Sequence, residues 1–422
     1  MNFTNNNFTN NEPENLIIED GGQVIVNNAG VQATFKKSVS HSPSKDAANW
    51  YTISSPVNSI APASVTNLIQ ASTDNYDLYL YDEATSKWLN QKKAANSALF
   101  TNLTNGRGYL YWNNSGAELS FPGELNSSAV EIDLTKTGTG TLAGFNLIGN
   151  PFSHDIYKGT GGAIDNSKLS EGYYTITDES TWSAKIGYST PIKAGQGILV
   201  QATEDFKLII ANTNTAATAK DNNHEFIEFI VANNIYEDVT YALFEEGIGL
   251  NKINHNNDQA PMIYISQNGG NYAIATMSDN TQTFDLNFKA MTTGQYTLSM
   301  NVDGKYDYIH VIDRFTGEDI DMLLEGKYSF ISSMHDNEAR FIVKLNANAN
   351  IGEFDTSDIF AYQNGSDIIV NGDGELQVYD ATGRMVMNTR INGVQTVNVS
   401  SNGLYIFRLV GDTLRTQKIV VE

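Results

Sequence analysis

Cysteine is absent from the whole of the 422-residue chain. Disulfide bridges, thiolate metal sites and cysteine nucleophiles are therefore excluded. A folded chain without bridges depends on burial of a hydrophobic core, and this length supplies enough residues for several domains. Long apolar runs are also missing, since no stretch approaches the roughly 18 consecutive apolar residues of a membrane-spanning helix. The sequence thus predicts no transmembrane segment.

Basic residues are scarce: 26 Lys and Arg stand against 48 Asp and Glu, which gives a formal net charge of −22. Because such a chain repels phosphate backbones and anionic lipid, no nucleic-acid partner is expected. The charge is distributed unevenly, since residues 362–422 hold five basic and six acidic side chains. The acidic surplus therefore lies upstream of a nearly neutral C-terminal segment.

Catalytic signatures are missing as well. The six histidines, at positions 41, 154, 224, 255, 310 and 335, do not form a His-Glu-x-x-His motif. The Gly-x-Ser-x-Gly elbow of α/β-hydrolases and the strand–helix alternation of nucleotide-binding folds are absent too. We therefore expect a protein that is not an enzyme. His310, inside an apolar strand, is expected to be a core residue.

Short strands bounded by turn residues recur along the sequence about every dozen residues, as in antiparallel β-sandwiches. We predict an all-β, multi-domain chain of antiparallel β-sandwiches, jelly-roll-like and Ig-like. Its segments are an N-terminal part with a β-hairpin (1–48), a repeat-containing sandwich (49–212), a second sandwich (224–346) and an Ig-like domain (360–422). The hairpin, Leu16–Val26, is compatible with the last coil of a β-solenoid and with the first hairpin of the next domain.

An internal repeat is the clearest feature of residues 49–212. A first copy, about 50–123, and a second, about 145–210, each contain a strand that ends at proline, a Gly-x-Gly entry into an apolar strand, and a tryptophan. The equivalent prolines are Pro56 and Pro151, and the equivalent tryptophans are Trp88 and Trp182. We expect the copies to be two half-sheets packed as one jelly-roll sandwich, which leaves few exposed sheet edges.

The last segment reads as a small all-β domain. Its predicted strands are Ile368–Val370, Leu376–Tyr379, Met385–Met387, Val394–Val399, Leu404–Leu409 and Gln417–Val421. Asp380 and Gly383 predict a turn, because the carboxylate bonds a backbone amide two residues on and glycine supplies a positive φ. The strand Leu404–Leu409 is apolar on both faces, which predicts a central strand sandwiched between two sheets.

This domain resembles the C-terminal sorting domain of the type IX secretion system of Bacteroidetes. The resemblance covers Tyr362–Glu422 and rests on Val378–Arg384, Gly403–Phe407 and Lys418–Val421. It implies export by the type IX secretion machinery to a secreted or outer-membrane-surface location, with removal of the domain. The sorting-signal residues that it implies are Tyr379, Asp380, Gly383, Arg384, Gly403, Tyr405 and Lys418.

Two further observations bear on this resemblance. The stretch Gly144–Phe152 resembles segments that are common in large Bacteroidetes surface proteins. Type IX cargo first crosses the inner membrane, whereas Met1–Asn7 has no basic region followed by an apolar one. We therefore expect the natural start of the protein to lie upstream of Met1.

The sequence is compatible with two kinds of ligand site. The first is an exposed aromatic platform for a glycan or a host-surface protein, and the alternative for its residues is core packing. Its candidate residues are Trp112, Tyr173, Tyr174 and Trp182. The second is a calcium site, and calcium is the one cofactor considered. Its candidate ligands lie in Asn371–Glu375 or are Asp313, Asp319 and Asp321, although such clusters are primarily turn formers.

The expected function is that of a non-catalytic, adhesin-like protein of the cell surface or the secreted fraction, exported through its C-terminal sorting domain. One alternative is the non-catalytic C-terminal portion of a larger secreted protease or glycoside hydrolase whose catalytic domain precedes Met1. Another is a structural surface-layer component. An in-frame hydrolase domain encoded upstream of Met1 would distinguish the first alternative from a stand-alone adhesin.

Overall fold

The computed structural model describes residues 9–40, 49–165, 167–177, 181–218, 225–346, 360–364, 367–411 and 414–421. Almost all of their regular secondary structure is β-strand, which confirms the predicted all-β class. Helical segments in these ranges are the 3-10 turns Pro13–Asn15, Pro62–Ser64 and Ala94–Phe100 and the α-helix α1, Met322–Glu325. None of the described helices is long and apolar enough to span a membrane.

The chain divides into two compact units. Unit 1 contains Met1–His224, Leu243–Asn257 and Tyr272–Thr276. Unit 2 contains Glu225–Ala242, Asp258–Asn271 and Met277–Glu422. Two segments that the sequence analysis assigns to the second sandwich, Leu243–Asn257 and Tyr272–Thr276, are thus part of unit 1.

In unit 1, the first copy of the repeat forms a small sandwich. Its strands are β1 (Ile17–Ile18), β2 (Gln32–Val39), β3 (Trp50–Ile53), β4 (Tyr76–Asp82), β5 (Lys87–Asn90), β6 (Tyr109–Asn113) and β7 (Ala117–Glu124). One sheet has the order β3-β6-β4-β5 and the other has the order β1-β2-β7. Phe35 of β2, Phe121 of β7 and Tyr109 of β6 belong to one buried cluster, so the two sheets pack against each other.

The second copy repeats this arrangement. Its strands are β8 (Val130–Leu134), β9 (Phe145–Gly149), β10 (Tyr173–Ile176), β11 (Trp182–Lys185), β12 (Gly197–Gln201) and β13 (Phe206–Ile210). The sheet order β9-β12-β10-β11 matches β3-β6-β4-β5, and β8 pairs with β13 as β2 pairs with β7. The expectation of one shared jelly roll is wrong, because each copy has its own covering strands and its own core.

The two copies meet where the Gly-x-Gly motifs enter β6 and β12. Gly149 donates its backbone N–H to the Gly106 oxygen at 2.9 Å, and the equivalent Ser54 donates to the equivalent Gly195 oxygen at 3.0 Å. A Cβ on Gly149 would lie 2.2 Å from the Ser54 Cβ. Since real Cβ atoms do not approach so closely, the glycine permits this backbone contact. The junction is therefore built from equivalent atoms of the two copies.

The predicted N-terminal hairpin is wrong. Strand β1 pairs in parallel with β2, and the residues after its turn do not return along it. Instead, Val24 donates its N–H to the Ser153 oxygen at 3.0 Å and accepts from the Ser153 hydroxyl at 2.7 Å. A two-stranded hairpin is marginal on its own, whereas these contacts attach the segment to a larger sheet and to the second copy.

The second sandwich follows in the chain. The strands of this region are β14 (Phe226–Ala232), β15 (Glu237–Leu243), β16 (Leu250–Asn251), β17 (Met262–Gln267), β18 (Gly270–Thr276), β19 (Thr283–Lys289), β20 (Gly294–Asp303), β21 (His310–Asp313), β22 (Asp319–Asp321), β23 (Lys327–Ser332) and β24 (Phe341–Lys344). Of these, β16 and residues Tyr272–Thr276 of β18 belong to unit 1. The strands belong to one sheet, in which β22-β21-β24-β19-β17 and β15-β14-β20-β23 are two runs of neighbouring strands. Phe229 of β14 and Phe284 of β19 meet edge to face at 6.1 Å, so the two runs pack against each other.

A buried ion pair lies at the centre of this sandwich. The side chains of Arg340 and Asp313 are 1% and 0% exposed. The Arg340 Nη2 donates to Asp313 Oδ2 at 2.8 Å, and Nε donates to both carboxylate oxygens at 3.1 and 3.2 Å. The rings of Phe315, Phe330 and Phe341 surround the guanidinium at 4.8, 4.3 and 5.4 Å. The pair is thus both hydrogen-bonded and enclosed by aromatic rings.

The last domain is a two-sheet sandwich. Its strands are β25 (Ala361–Asn364), β26 (Asp367–Asn371), β27 (Gly374–Asp380), β28 (Met385–Ile391), β29 (Val394–Val397), β30 (Gly403–Val410) and β31 (Leu414–Val421). The sheets have the orders β25-β26-β29 and β28-β27-β30-β31. Residues of both sheets, such as Val370, Val378 and Phe407, share one core. All six predicted strands are confirmed, and β25 is an additional strand.

Candidate functional site

Strand β30 is central to the last domain but is covered on one side only. It lies between β27 and β31, as predicted. Tyr405, Phe407 and Leu409 on its inner face are buried, whereas Ile406 on its outer face is 40% exposed. The expectation that sheets cover both faces is therefore wrong. The outer face is apolar yet is not covered by the described part of the chain.

Side chains from four strands form one row across this outer face. Met385 lies opposite Tyr379, Tyr379 opposite Ile406, and Ile406 opposite Lys418. Directly opposed residues have Cβ atoms about 4.5–5.5 Å apart, so neighbours in this row touch. We call these four residues the outer row. It brings together Tyr379 and Lys418, two of the residues that the resemblance assigns to the sorting signal.

The two rows beside the outer row differ in chemistry. On one side Leu404 lies opposite Val420, whose side chain is 40% exposed. On the other side Gln377, Arg408 and Thr416 lie opposite one another. The outer row thus lies between an apolar row and a polar row, and beyond the polar row the exposed residues Val410 and Leu414 lie opposite each other. An exposed apolar strip with a polar rim is typical of a surface that binds another protein.

Three further sorting-signal residues form the turn that joins β27 to β28. Asp380 Oδ1 accepts from the Thr382 hydroxyl at 2.6 Å and from the backbone N–H groups of Thr382 and Arg384 at 3.0 and 3.1 Å. Gly383 has a φ of 82°, which confirms the predicted turn. The Thr382 hydroxyl, then the backbone N–H groups and the Arg384 side chain, lower the pKa of Asp380 to about 2.

The Arg384 side chain is directed by this turn. Its Nε donates to Asp380 Oδ2 at 3.0 Å, while the side chain remains 77% exposed. Because Asp380 is ionised at neutral pH, the ion pair holds a guanidinium beside Met385, the first residue of the outer row. The outer face therefore has two cationic groups next to its apolar strip, those of Arg384 and Lys418.

The remaining two predicted signal residues support strand β30 from within. Tyr405 is buried, and its hydroxyl donates to the Ser401 backbone oxygen at 2.7 Å. Gly403 opens the strand and lies opposite Val421 of β31. These two residues fix the start of β30, and hence the register that places Ile406 against Lys418. Their role in this structure is to position the outer row rather than to be part of it.

The predicted aromatic platform is not formed. Tyr173, Tyr174 and Trp182 are 1%, 0% and 3% exposed, so their ring faces are closed to a ligand and the prediction is wrong for them. The Tyr174 hydroxyl donates to the Asn251 backbone oxygen at 2.8 Å. Trp112 is half-buried on β6. Core packing, the alternative reading of the sequence, describes the three buried residues.

The two equivalent tryptophans explain why this alternative holds. Trp88 and Trp182 stack on each other with ring centroids 6.2 Å apart and planes 11° from parallel. The Trp182 indole N–H donates to Asn256 Oδ1 at 3.2 Å. The tryptophan that recurs in both copies thus forms part of the contact between them. Its recurrence in the sequence was a signal for this buried role.

The fold separates the three aspartates Asp313, Asp319 and Asp321, which the sequence analysis considers as a calcium site. Asp313 is bonded to Arg340 in the core, so it cannot join Asp319 and Asp321. Those two aspartates flank His310 instead, with Asp319 Oδ1 2.6 Å from Nδ1 and Asp321 Oδ2 3.8 Å from Nε2. Within the described ranges, no group of three or more His, Asp or Glu side chains could hold a metal ion.

The other clusters and histidines have structural surroundings. Asp373 Oδ1, in the Asn371–Glu375 stretch, accepts the Gly393 backbone N–H at 2.9 Å, as in an ordinary turn. His154 is buried, with Nε2 2.8 Å from Asn212 Oδ1. His310, expected in the core, is only half-buried because its partners Asp319 and Asp321 lie on the edge strand β22. His41 and His224 lie outside the described residues.

Sequence reasoning thus located the turn and strands of the last domain but not the surface that they form. The pairing of β30 with β27 and β31 selects which apolar residues face outward, and this pairing involves residues far apart in sequence. Comparisons of the chain with protein-family models, curated proteins and solved structures find no match. The geometry of the outer face is therefore the main evidence on function.

Proposed function

We propose that this chain is a non-catalytic, adhesin-like protein of the outer-membrane surface or the secreted fraction, and that its last domain is a type IX sorting signal. The observation that supports the proposal most is the outer row. Both faces of strand β30 have apolar side chains, and Ile406 on the outer face is 40% exposed. Burial of an apolar side chain is favourable by about 1.5–3 kcal/mol, so a protein that covers Ile406 and its neighbours gains affinity from them.

The charges beside the apolar strip indicate the character of this partner. Arg384 and Lys418 lie at opposite ends of the outer row, on β28's turn and on β31. A partner with an apolar groove between carboxylates would complement both features. Such charge pairs at the rim of an interface mainly raise the association rate and specificity. We therefore expect export to be more sensitive to Ile406 than to either cation.

Point variants on the outer face test the proposal in a Bacteroidetes host that has the type IX system. Ile406→Asp should leave the protein in the periplasm, and Lys418→Glu should reduce its surface fraction. The matched controls are Arg408→Asp and Thr416→Glu, which lie on the same strands and the same face but in the polar row. Cell fractionation and immunoblotting measure the distribution, and thermal unfolding of the purified chain verifies folding.

The outcomes of this experiment are distinct. Retention of Ile406→Asp together with normal export of Arg408→Asp supports a partner at the outer row. Equal export of all four variants would refute it. Deletion of residues 360–422 is the coarser test, and unchanged surface display without them would refute the sorting role altogether.

The sandwiches before the last domain are proposed as the displayed part. Their acidic character follows from the net charge of −22, to which the nearly neutral last segment contributes little. A high net charge of one sign keeps an exported chain soluble and monomeric. Screening the purified chain against glycans and host-surface proteins tests this display role, and turnover of any substrate would contradict the non-catalytic part of the proposal.

A further inference from the structure

A cavity of about 180 Å³ lies in the second copy of the repeat. Bulk water would fill this volume with about six molecules, so it suits a small molecule rather than a peptide. Its wall is formed by the segment between β9 and β10 and by Ile186–Tyr188 after β11. No sequence motif indicates it, because its lining is dispersed over residues 158–243.

The polar part of the lining combines an ammonium with two carboxylates. Lys158 is only 6% exposed, and its Nζ donates to the Ser170 backbone oxygen at 2.7 Å. Asp165 and Glu171 also line the cavity, and Asp165 Oδ2 is held by the Gly161 backbone N–H at 2.9 Å. Donors and acceptors thus occur side by side on one wall.

The rest of the lining mixes the hydroxyl residues Thr160, Ser167 and Thr218 with apolar and aromatic groups. Ile164, Leu169 and Ile186 contribute aliphatic groups, and Tyr188 contributes a ring. A Cβ on Gly187 would lie 2.6 Å from the Lys158 backbone oxygen, so glycine lets these two parts of the wall approach. The cavity therefore combines polar and apolar groups in about equal measure, as a ligand with both hydroxyl groups and a hydrocarbon face requires.

We propose that this cavity binds a small uncharged polyhydroxylated molecule of monosaccharide size, free or at the end of a glycan. A hydroxyl both donates and accepts, which matches a wall with an ammonium beside carboxylates. The hydrocarbon face of a sugar ring matches the aliphatic groups and Tyr188. Because the wall has charges of both signs, a singly charged ligand meets a like charge as well as an opposite one, whereas a hydroxyl can bond to either. The inference gives a ligand class to the proposed display role and does not depend on export.

Binding is tested on the purified full chain by isothermal titration calorimetry and saturation-transfer NMR. The probes are glucose, galactose, mannose, fucose and N-acetylglucosamine, with acetate and ethanolamine as charged probes. We expect saturable binding of at least one sugar, with Kd on the order of 1 mM for a ligand of this size. Saturation by none of the sugars, or only by a charged probe, would overturn the proposal.

Variants locate the site. Ser167→Trp should fill the cavity and abolish binding, and Asp165→Asn or Glu171→Gln should weaken it about tenfold or more, because hydrogen bonds to charged groups are lost. The controls Thr139→Trp and Asp133→Asn change exposed residues outside the cavity lining and should not alter binding. Sugar binding that survives both Ser167→Trp and Asp165→Asn would place the ligand elsewhere and refute the proposal, whatever the result of the export experiment.

Discussion

Replacing Arg340 by methionine should be among the most damaging single changes to this protein. The variant leaves the Asp313 carboxylate, which is 0% exposed, without its cation. Removal of one partner of a buried ion pair typically costs 3–5 kcal/mol, and we expect a loss of that size in the free energy of unfolding of unit 2. Phe315, held by the pair, also contacts Tyr362 in the last domain at 5.1 Å, so that contact should loosen too.

Urea unfolding followed by far-ultraviolet circular dichroism measures this loss. The matched control is Arg314→Met, which breaks the neighbouring but partly exposed ion pair with Asp285 and should cost less than about 1 kcal/mol. The double variant Asp313→Asn/Arg340→Met should recover about 1–3 kcal/mol of the loss. All four tryptophans lie in unit 1, so their emission reports that unit separately. Equal losses in the Arg340 and Arg314 variants would refute the reasoning.

Two other predictions concern the copy junction and the Asp380 turn. Gly149→Ala should destabilise unit 1 by about 1–3 kcal/mol because its Cβ would overlap Ser54, whereas Gly140→Ala, with open space around it, should be nearly neutral in the same urea experiment. The pKa of Asp380 is lowered to about 2 in the fold, so its contribution to stability is present above the unfolded value of about 3.9 and is lost as pH falls through 2. Asp380→Asn should therefore be less stable than the natural chain at pH 7, and the difference should fade between about pH 4 and pH 2 in thermal unfolding. A constant difference over that range would contradict the assigned role of the carboxylate.

The parts of the last domain that the sequence predicted are the local ones. Six strands and the turn at Asp380 depend on β-branched runs and on residues two to four positions apart, such as the contacts of Asp380 with Thr382 and Arg384. Such contacts form whatever the rest of the chain does. The turn at Asp380 could therefore be predicted from its neighbouring residues alone, and the structure confirms it.

The parts that the sequence could not predict depend on distant partners. Alternation along β30 does not reveal which apolar face is buried, because both faces are apolar and only the pairing with β27 and β31 decides. The Arg340–Asp313 pair joins residues 27 positions apart, and nothing local marks Asp313 as buried. The N-terminal hairpin failed for the same reason, since Val24 finds its partner in Ser153.

The two copies of the repeat provide an internal control for the cavity. Between β3 and β4 the first copy buries the aliphatic residues Val65 and Leu68, whereas the equivalent segment of the second copy buries the ammonium of Lys158. Because the first copy reaches the same strand order with no buried charge between β3 and β4, the framework does not require one in this segment. A buried ammonium in this segment is thus particular to the second copy, where Lys158 lies in the cavity wall.

The double variant Lys158→Met/Glu171→Gln removes two charges of opposite sign from the cavity wall together. Replacement of a buried charge by a neutral group of similar size is often neutral or stabilising, so the free energy of unfolding should change by less than about 1 kcal/mol. Sugar binding, measured by calorimetry, should be lost. A loss above about 3 kcal/mol in the free energy of unfolding, with sugar binding intact, would show that the two charges stabilise the fold. The comparison of the two copies would then no longer support a ligand in the cavity.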